Sequence, residues 1–164
     1  MRVLLAVTLL FGALTPVVWA DGCNRLSLDV QPVHSIISSN DPGELRISLV
    51  NNSQRPVWVD RRLVLGYHIY IFVVDRNGHP IRLGYPSFTL VLPKKGDFKR
   101  VQPGERIEKS LKVTMDMLPG FAQKSGVWTF AVKVIIFDTG SQFGIQGWTG
   151  TLKSYVKLTA HGVG

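Results

Sequence analysis

Residues 44–81, ELRISLVNNSQRPVWVDRRLVLGYHIYIFVVDRNGHPI, decide the fold class. Short runs in this stretch alternate apolar and polar residues, and a polar turn at 51–56 separates two of them. Such a two-residue period predicts β-strands with one buried face. The run at 69–74 is apolar on both faces, which predicts a central strand or a strand covered by a loop. The Asn-Gly pair at 77–78 predicts a tight hairpin, because both residues tolerate positive φ.

The same pattern recurs in the rest of the chain, with turn signals about every 8–12 residues, the spacing of a sandwich or a barrel. No helical period of useful length, internal repeat or linker interrupts it. We therefore predict one all-β domain over residues 21–164, an Ig-like antiparallel β-sandwich of about eight or nine strands. Further strands are predicted at 24–30, 88–92, 98–101, 106–113, 126–137 and 152–158.

The first 20 residues have the layout of a secretory signal peptide. Arg2 precedes an apolar run at 3–14, and small residues lead up to Ala20. The run is too short for a permanent membrane-spanning helix. We predict cleavage before Asp21, export to the periplasm or the extracellular space, and a mature chain with no transmembrane span.

The single cysteine, Cys23, follows this cleavage site closely. One cysteine cannot form an intrachain disulfide, so the sandwich must be held by packing. Three interpretations of Cys23 stay open: a free or intermolecularly paired thiol, the lipidated cysteine of a bacterial lipoprotein, or a residue with no role. The preceding residues, 20–22, resemble a lipobox only loosely. Lipid anchoring through Cys23 is therefore an alternative to simple release.

Composition excludes disorder and indicates the kind of surroundings that the chain favours. Hydrophobic residues make up 45% of the chain and charged residues 18%, enough apolar material for a core. The formal net charge of +8 favours an anionic envelope surface or an acidic protein, although exported proteins are often basic without a charged ligand. Nucleic acid is not an expected partner of an exported chain.

The sequence contains no arrangement that predicts catalysis or a cofactor. No two of the four histidines have the spacing of metal ligands, and there is no cysteine pair. There is also no Gly-x-Ser-x-Gly motif and no close pair of carboxylates. We therefore predict no metal site, no cofactor and no enzymatic activity. Residues 51–53, Asn-Asn-Ser, fit the N-glycosylation pattern, and Asn51 is either a glycan acceptor or a turn-forming residue.

Two irregular segments hold the candidate contact residues. The first, at 94–100, is dense in basic residues and carries an aromatic; the second, at 138–150, is a Gly-rich loop with two aromatics. We predict a partner-contact surface there, with a solvated hairpin loop and a lid on the sandwich end as the alternatives. The aromatics at 58, 128, 130 and 137 are predicted to be mostly core. The candidate contacts are Lys94, Lys95, Phe98, Lys99, Arg100, Phe143 and Trp148.

Four pieces of the sequence resemble a known family. They are LRISLVNNSQRPVWV at 45–59, YIFVVDRNGHPI at 70–81, VQPGERIEKSLKV at 101–113 and GVWTFAVKV at 126–134. Their order of turns and strands resembles the Ig-like bacterial proteinase-inhibitor domains of the BsuPI type. The resemblance covers about residues 45–134 and implies an Ig-like fold and an inhibitory role. The export signal departs from the name-giving member, which is intracellular.

These observations lead to two functional hypotheses. The first is an exported, non-enzymatic protein-binding module, with a proteinase-inhibitor-like domain as one version of it. The alternative is a structural or accessory protein of the cell envelope, which its basic charge holds at anionic surfaces.

Overall fold

The computed structural model describes residues 26–85 and 92–162. The predicted signal peptide, Cys23 and most of the predicted strand at 88–92 lie outside them. The described residues form ten strands and three short 3₁₀ helices, the latter at Lys95–Asp97, Met115–Met117 and Ser141–Phe143. The strands are β1 (Leu26–His34), β2 (Ile36–Ser38), β3 (Gly43–Asn51), β4 (Val57–Asp60), β5 (Ile69–Val74), β6 (Pro80–Arg82), β7 (Phe98–Val101), β8 (Arg106–Val113), β9 (Gly126–Ile136) and β10 (Gly150–His161).

The strand order is that of an Ig-like sandwich. One sheet has the order β1-β3-β8 and the other the order β2-β10-β9-β5-β6. This order matches the Ig arrangement, in which strands A, B and E oppose strands G, F, C and C′. Strands β4 and β7 form a third, two-stranded sheet. The predicted all-β, Ig-like sandwich is confirmed, with more strands than expected and with one parallel pair, β2 and β10.

Alternation along the strands builds one core between the two large sheets. Alternate residues of β3, β5 and β9 face inward, and the buried apolar residues among them belong to a single cluster. Burial of each large apolar side chain contributes about 1.5–3 kcal/mol. The inward-facing residues whose two-residue period predicted the strands therefore also supply most of the favourable energy of folding. The best-buried members on these three strands are Leu45, Ile47, Leu49, Ile69, Ile71, Val73, Phe130, Val132 and Val134.

Two aromatic residues predicted to be mostly core are partly exposed instead. Trp58 is 36% exposed, because it occupies the outward position of β4 between the buried Val57 and Val59. Phe137 is 39% exposed and follows the last residue of β9. The final strand also differs from expectation: β10 continues to His161, because its last residues pair with both β9 and β2.

Asn51 is fully buried and closes the turn after β3. Its side-chain amide donates to the carbonyl oxygens of Arg55, at 2.8 Å, and Val101, at 3.0 Å. Its side-chain oxygen accepts from the amide and the hydroxyl of Ser53. The turn-forming interpretation therefore accounts for this residue, and the folded chain does not present the Asn51 amide to a glycosylating enzyme.

Candidate functional site

The two irregular segments that carry the predicted contacts meet at one end of the sandwich. The amide of Trp148 donates to the carbonyl of Trp58 at 2.8 Å, so the Gly-rich loop runs beside β4. The rings of Phe98 and Phe143 join the segments on the other side, with centroids 5.9 Å apart. The 94–100 and 138–149 segments thus form one continuous surface together with β4.

Five side chains project from this end. Lys94, Lys95 and Arg100 are exposed, Phe143 is half-buried, and Trp58 is the partly exposed tryptophan of β4. Trp58 and Arg100 lie side by side, because they are register partners in the β4–β7 pair. We call these five residues the end surface. Trp58 was not among the predicted contacts, although its place between two inward-facing valines indicates that it points outward.

The other three predicted contacts pack against or pair with other residues of the chain. The ring of Phe98 is only 8% exposed and lies against Gly140, where an added Cβ would come within 3.2 Å of it. Trp148 packs against the core and over Gly150. These two rings act as the lid on the sandwich end. Lys99 forms an ion pair with Glu105 at 2.7 Å.

An open groove of about 400 Å³ lies beside the end surface. The Gly-rich loop forms most of its wall, so main-chain groups line it as well as side chains. Gly144 has φ +69, a conformation that favours glycine and shapes this wall. The groove can therefore offer hydrogen bonds to a polar or extended ligand. Its lining residues are Asp138, Ser141, Gly144, Ile145, Gln146, Gly147 and Thr149.

A buried polar network lies under the end surface. Asp60, at the end of β4, accepts hydrogen bonds from the main-chain amide of Arg62, at 3.0 Å, and from its guanidinium Nε, at 2.9 Å. The imidazole Nε2 of His68 lies 3.5 Å from the same carboxylate, and His68 Nδ1 accepts from the amide of Val64 at 3.0 Å. Asp97 approaches Arg62 at 3.8 Å. The network thereby ties β4 and the start of β5 to the 94–97 turn.

Burial and charge oppose each other in this network. Burial lowers the pKa of His68 below its usual 6.5, with Asp60 acting in the other direction. Burial by itself would raise the pKa of Asp60, but the hydrogen bonds and charges of Arg62 and His68 outweigh it and hold the pKa low. The folded chain therefore favours a neutral imidazole next to an ionised carboxylate.

The lowered pKa of His68 predicts a loss of stability in mild acid. As pH falls below about 6.5, the unfolded chain binds a proton that the folded chain resists, so the free energy of unfolding decreases by up to about 1.4 kcal/mol per pH unit. Denaturant unfolding between pH 5 and 8 measures this slope. We expect His68→Gln to remove it and His161→Gln, at an exposed position, to retain it. An equal slope in both variants would contradict the assignment to His68.

The described residues contain neither a cluster of metal ligands nor a membrane-spanning helix. No group of three or more His, Cys, Asp or Glu residues in 26–85 and 92–162 is placed to hold a metal ion. Within the same ranges, no helix is long and apolar enough to cross a membrane.

Comparison with known proteins yields distant structural likeness only. No family model matches the sequence, and no curated protein matches it. A CARDB domain from Pyrococcus furiosus, in complex with di-metal ions, is 9% identical over 83% of this chain and 87% of its own, with a TM-score of 0.38. A β-glucosidase from Listeria innocua in complex with glucose is 9% identical over 84% of this chain and 16% of its own, with a TM-score of 0.41.

The bacterial hydrophobin BslA is 10% identical over 87% of this chain and all of its own, with a TM-score of 0.31. At TM-scores below 0.5, none of these three structures supports an inference about function. The fold assignment rests on the strand order of the chain itself.

Proposed function

We propose that the chain is an exported, non-enzymatic protein-binding module that contacts its partner through the end surface. The observation that carries this proposal is the convergence of β4, the 94–100 segment and the Gly-rich loop at one end of the sandwich. Export is part of the proposal and is supported by the signal-peptide pattern of residues 1–20. Loops and strand ends on a rigid scaffold commonly carry binding residues.

The end surface has the chemistry of an interface anchor. Trp58 and Arg100 belong to the residue types that dominate binding energy in protein interfaces, and they lie next to each other. Both stand on paired strands of the small sheet, so their backbones are already ordered before a partner binds. Preorganisation of this kind reduces the entropy that binding costs.

The charge of the end surface favours an acidic partner. Lys94, Lys95 and Arg100 form a basic rim around the two aromatics. No ion pair joins any of these three cations to another described residue, so their charges are available to a partner. The adjacent groove adds main-chain hydrogen-bonding groups. A partner with an acidic, extended segment therefore fits the end surface best.

The proteinase-inhibitor version is a narrower form of the same proposal. It is supported by the resemblance of residues 45–134 to BsuPI-type domains. Inhibition of a panel of purified secreted serine and metalloproteases tests it directly. Saturable inhibition that Trp58→Ala weakens would support this version, and the absence of inhibition across the panel would overturn it while leaving the broader proposal open to the next test.

Affinity capture from the exporting compartment tests the broader proposal. We expect one stoichiometric protein partner, with affinity reduced about 30-fold by Trp58→Ala, since an anchor residue typically contributes about 2 kcal/mol. Val33→Ala is the control, because Val33 is an apolar residue 48% exposed on β1, away from the end surface. Equal binding by both variants would contradict the end surface as the contact.

A further inference from the structure

The outward side of the five-stranded sheet carries cations and aromatic rings in ordered rows. Lys153, Lys133 and Tyr70 are successive register partners on β10, β9 and β5. In the next row, Tyr155 pairs with Ala131, followed by Phe72 and Arg82. Lys157 lies one row further along β10. We call the surface formed by Tyr70, Arg82, Lys133, Lys153, Tyr155 and Lys157 the basic face.

The basic face has one sign of charge. No acidic residue occupies an outward position on its five strands within the described part of the chain. Its four cations also form no ion pair with any residue of 26–85 or 92–162. An all-cationic surface of this kind attracts an anionic partner and raises its rate of association.

The other large sheet provides an internal comparison. Its outward positions carry residues of both charge signs, and the hydroxyl of Ser48 on β3 donates to the carboxylate of Glu108 on the neighbouring strand β8. The single sign of the basic face is therefore a local property and does not simply follow from the net charge of the chain. The charged residues at outward positions of this three-stranded sheet are Asp29, Glu44 and Glu108 with Arg46, Arg106 and Lys112.

The cations of the basic face are held close together. Lys133 and Lys153 are direct cross-strand partners, so their Cβ atoms are about 5 Å apart, a placement that is unfavourable for like charges. The guanidinium of Arg82 lies 4.8 Å from the ring centre of Tyr70 and 5.3 Å from that of Tyr85. Stacking of this kind keeps the planar fork of Arg82 in place to bind a carboxylate or a sulfate.

We propose that the basic face binds a linear acidic polysaccharide. The rows of cations span about 14 Å along β10 and about 14 Å across four strands, a flat platform for a chain with repeated anionic groups. Tyr155, 53% exposed among these cations, offers an apolar ring with a polar tip. Sugar rings also combine apolar faces with polar edges, and they stack on such rings.

The distribution of apolar residues favours a polysaccharide over a membrane. At outward positions of this sheet, the aliphatic side chains Ile36, 41% exposed, and Val127, 65% exposed, lie in one end row on either side of Thr159. The central rows carry the cations instead. A membrane-binding surface would present its apolar residues as a wedge that enters the lipid, with cations around it.

Direct binding to a defined acidic polysaccharide tests the proposal on the full chain. The probe is a fluorescent polygalacturonate oligosaccharide, with a neutral galactan oligosaccharide, phosphatidylglycerol vesicles and single-stranded DNA as competitors. We expect salt-sensitive binding of polygalacturonate. The triple variant Lys133→Gln, Lys153→Gln, Lys157→Gln should weaken it about tenfold, from three partly exposed charge contacts. Thermal unfolding verifies that the variant folds. Its unfolding midpoint should be no lower than that of the wild type, because the substitutions remove the repulsion between Lys133 and Lys153.

The matched control removes three cations from the opposite sheet by Arg46→Gln, Arg106→Gln and Lys112→Gln. The proposal would be supported if this control still binds polygalacturonate, while the basic-face triple variant and Tyr155→Ala both bind it more weakly. Equal weakening in both triple variants would overturn it, because net charge alone would then explain binding. Stronger binding of vesicles or DNA, or no binding of polygalacturonate at low salt, would overturn it as well. Trp58→Ala, on the end surface, should leave polysaccharide binding unchanged, so this result is independent of the proposed protein partner.

Discussion

Asp60→Ala is expected to lower the free energy of unfolding by about 3–5 kcal/mol, the cost of removing one partner from a buried ion pair. Asp60 is 1% exposed and accepts hydrogen bonds from both the main chain and the guanidinium of Arg62. Without it, the buried imidazole of His68 loses the carboxylate that lies 3.5 Å from its Nε2. Urea unfolding at pH 7, followed by tryptophan fluorescence, measures the change.

The control for Asp60 removes the same charge from the surface. Asp116 is exposed and forms no ion pair with a described residue, so Asp116→Ala should change stability by less than about 0.5 kcal/mol. If Asp60→Ala were as mild as this control, the buried network would not support the sandwich end. The folded Asp60→Ala fraction should also lose partner binding, because the network fixes β4 and its Trp58.

Asn51→Asp is expected to cost about 3 kcal/mol at neutral pH, since it places a buried carboxylate against two carbonyl oxygens. The amide of Asn51 donates to Arg55 and Val101, and an ionised carboxylate cannot donate. The folded chain should therefore raise the pKa of the new carboxyl group. Stability should recover as pH falls, because the protonated form is tolerated better in the folded state. Chemical unfolding at pH 7 and pH 4, each relative to wild type, measures both effects.

Asn52→Asp makes the same chemical change one residue later. Asn52 is exposed and donates to the hydroxyl of Ser27 at 2.7 Å, so its replacement should cost less than about 1 kcal/mol at neutral pH. Similar losses for the two variants would show that burial of the Asn51 amide does not hold the turn.

The fold could be predicted from sequence because the decisive signals are local. Alternation in residues 44–81 and 126–137, with Asn-Gly and Pro-Gly turns between strands, depends only on neighbouring residues. The number of strands was underestimated, and the three-residue strand β2 was not predicted as a separate strand.

The candidate site was less predictable, because the pairing register of distant strands determines which of its residues become neighbours. The sequence indicated the 94–100 and 138–150 segments, but only strand pairing brings them together beside Trp58. Phe98 could not be recognised as buried, since the loop residue Gly140 against which it packs lies 42 positions further along the sequence. The basic face was missed for the same reason. Lys133 and Lys153 are distant in sequence and become neighbours only through the β9–β10 register.

The two proposed surfaces lie on different parts of the sandwich and involve different ligands. The end surface joins β4, β7 and the Gly-rich loop, whereas the basic face belongs to the five-stranded sheet. A module that bound an envelope polysaccharide by its sheet and a protein by its end would hold that protein at the polymer. The hypothesis of an envelope accessory protein and that of a binding module are then two aspects of one activity.

Site-specific photo-crosslinking in the exporting cell tests the central claim most directly. A benzoylphenylalanine residue replaces Trp58 in one full-length chain. In a second chain it replaces Gln31, an exposed residue of β1 in the three-stranded sheet. We predict one discrete protein adduct from position 58 and none from position 31. The absence of an adduct at position 58, or the same adduct from both positions, would contradict the assignment of the end surface as the partner-binding site.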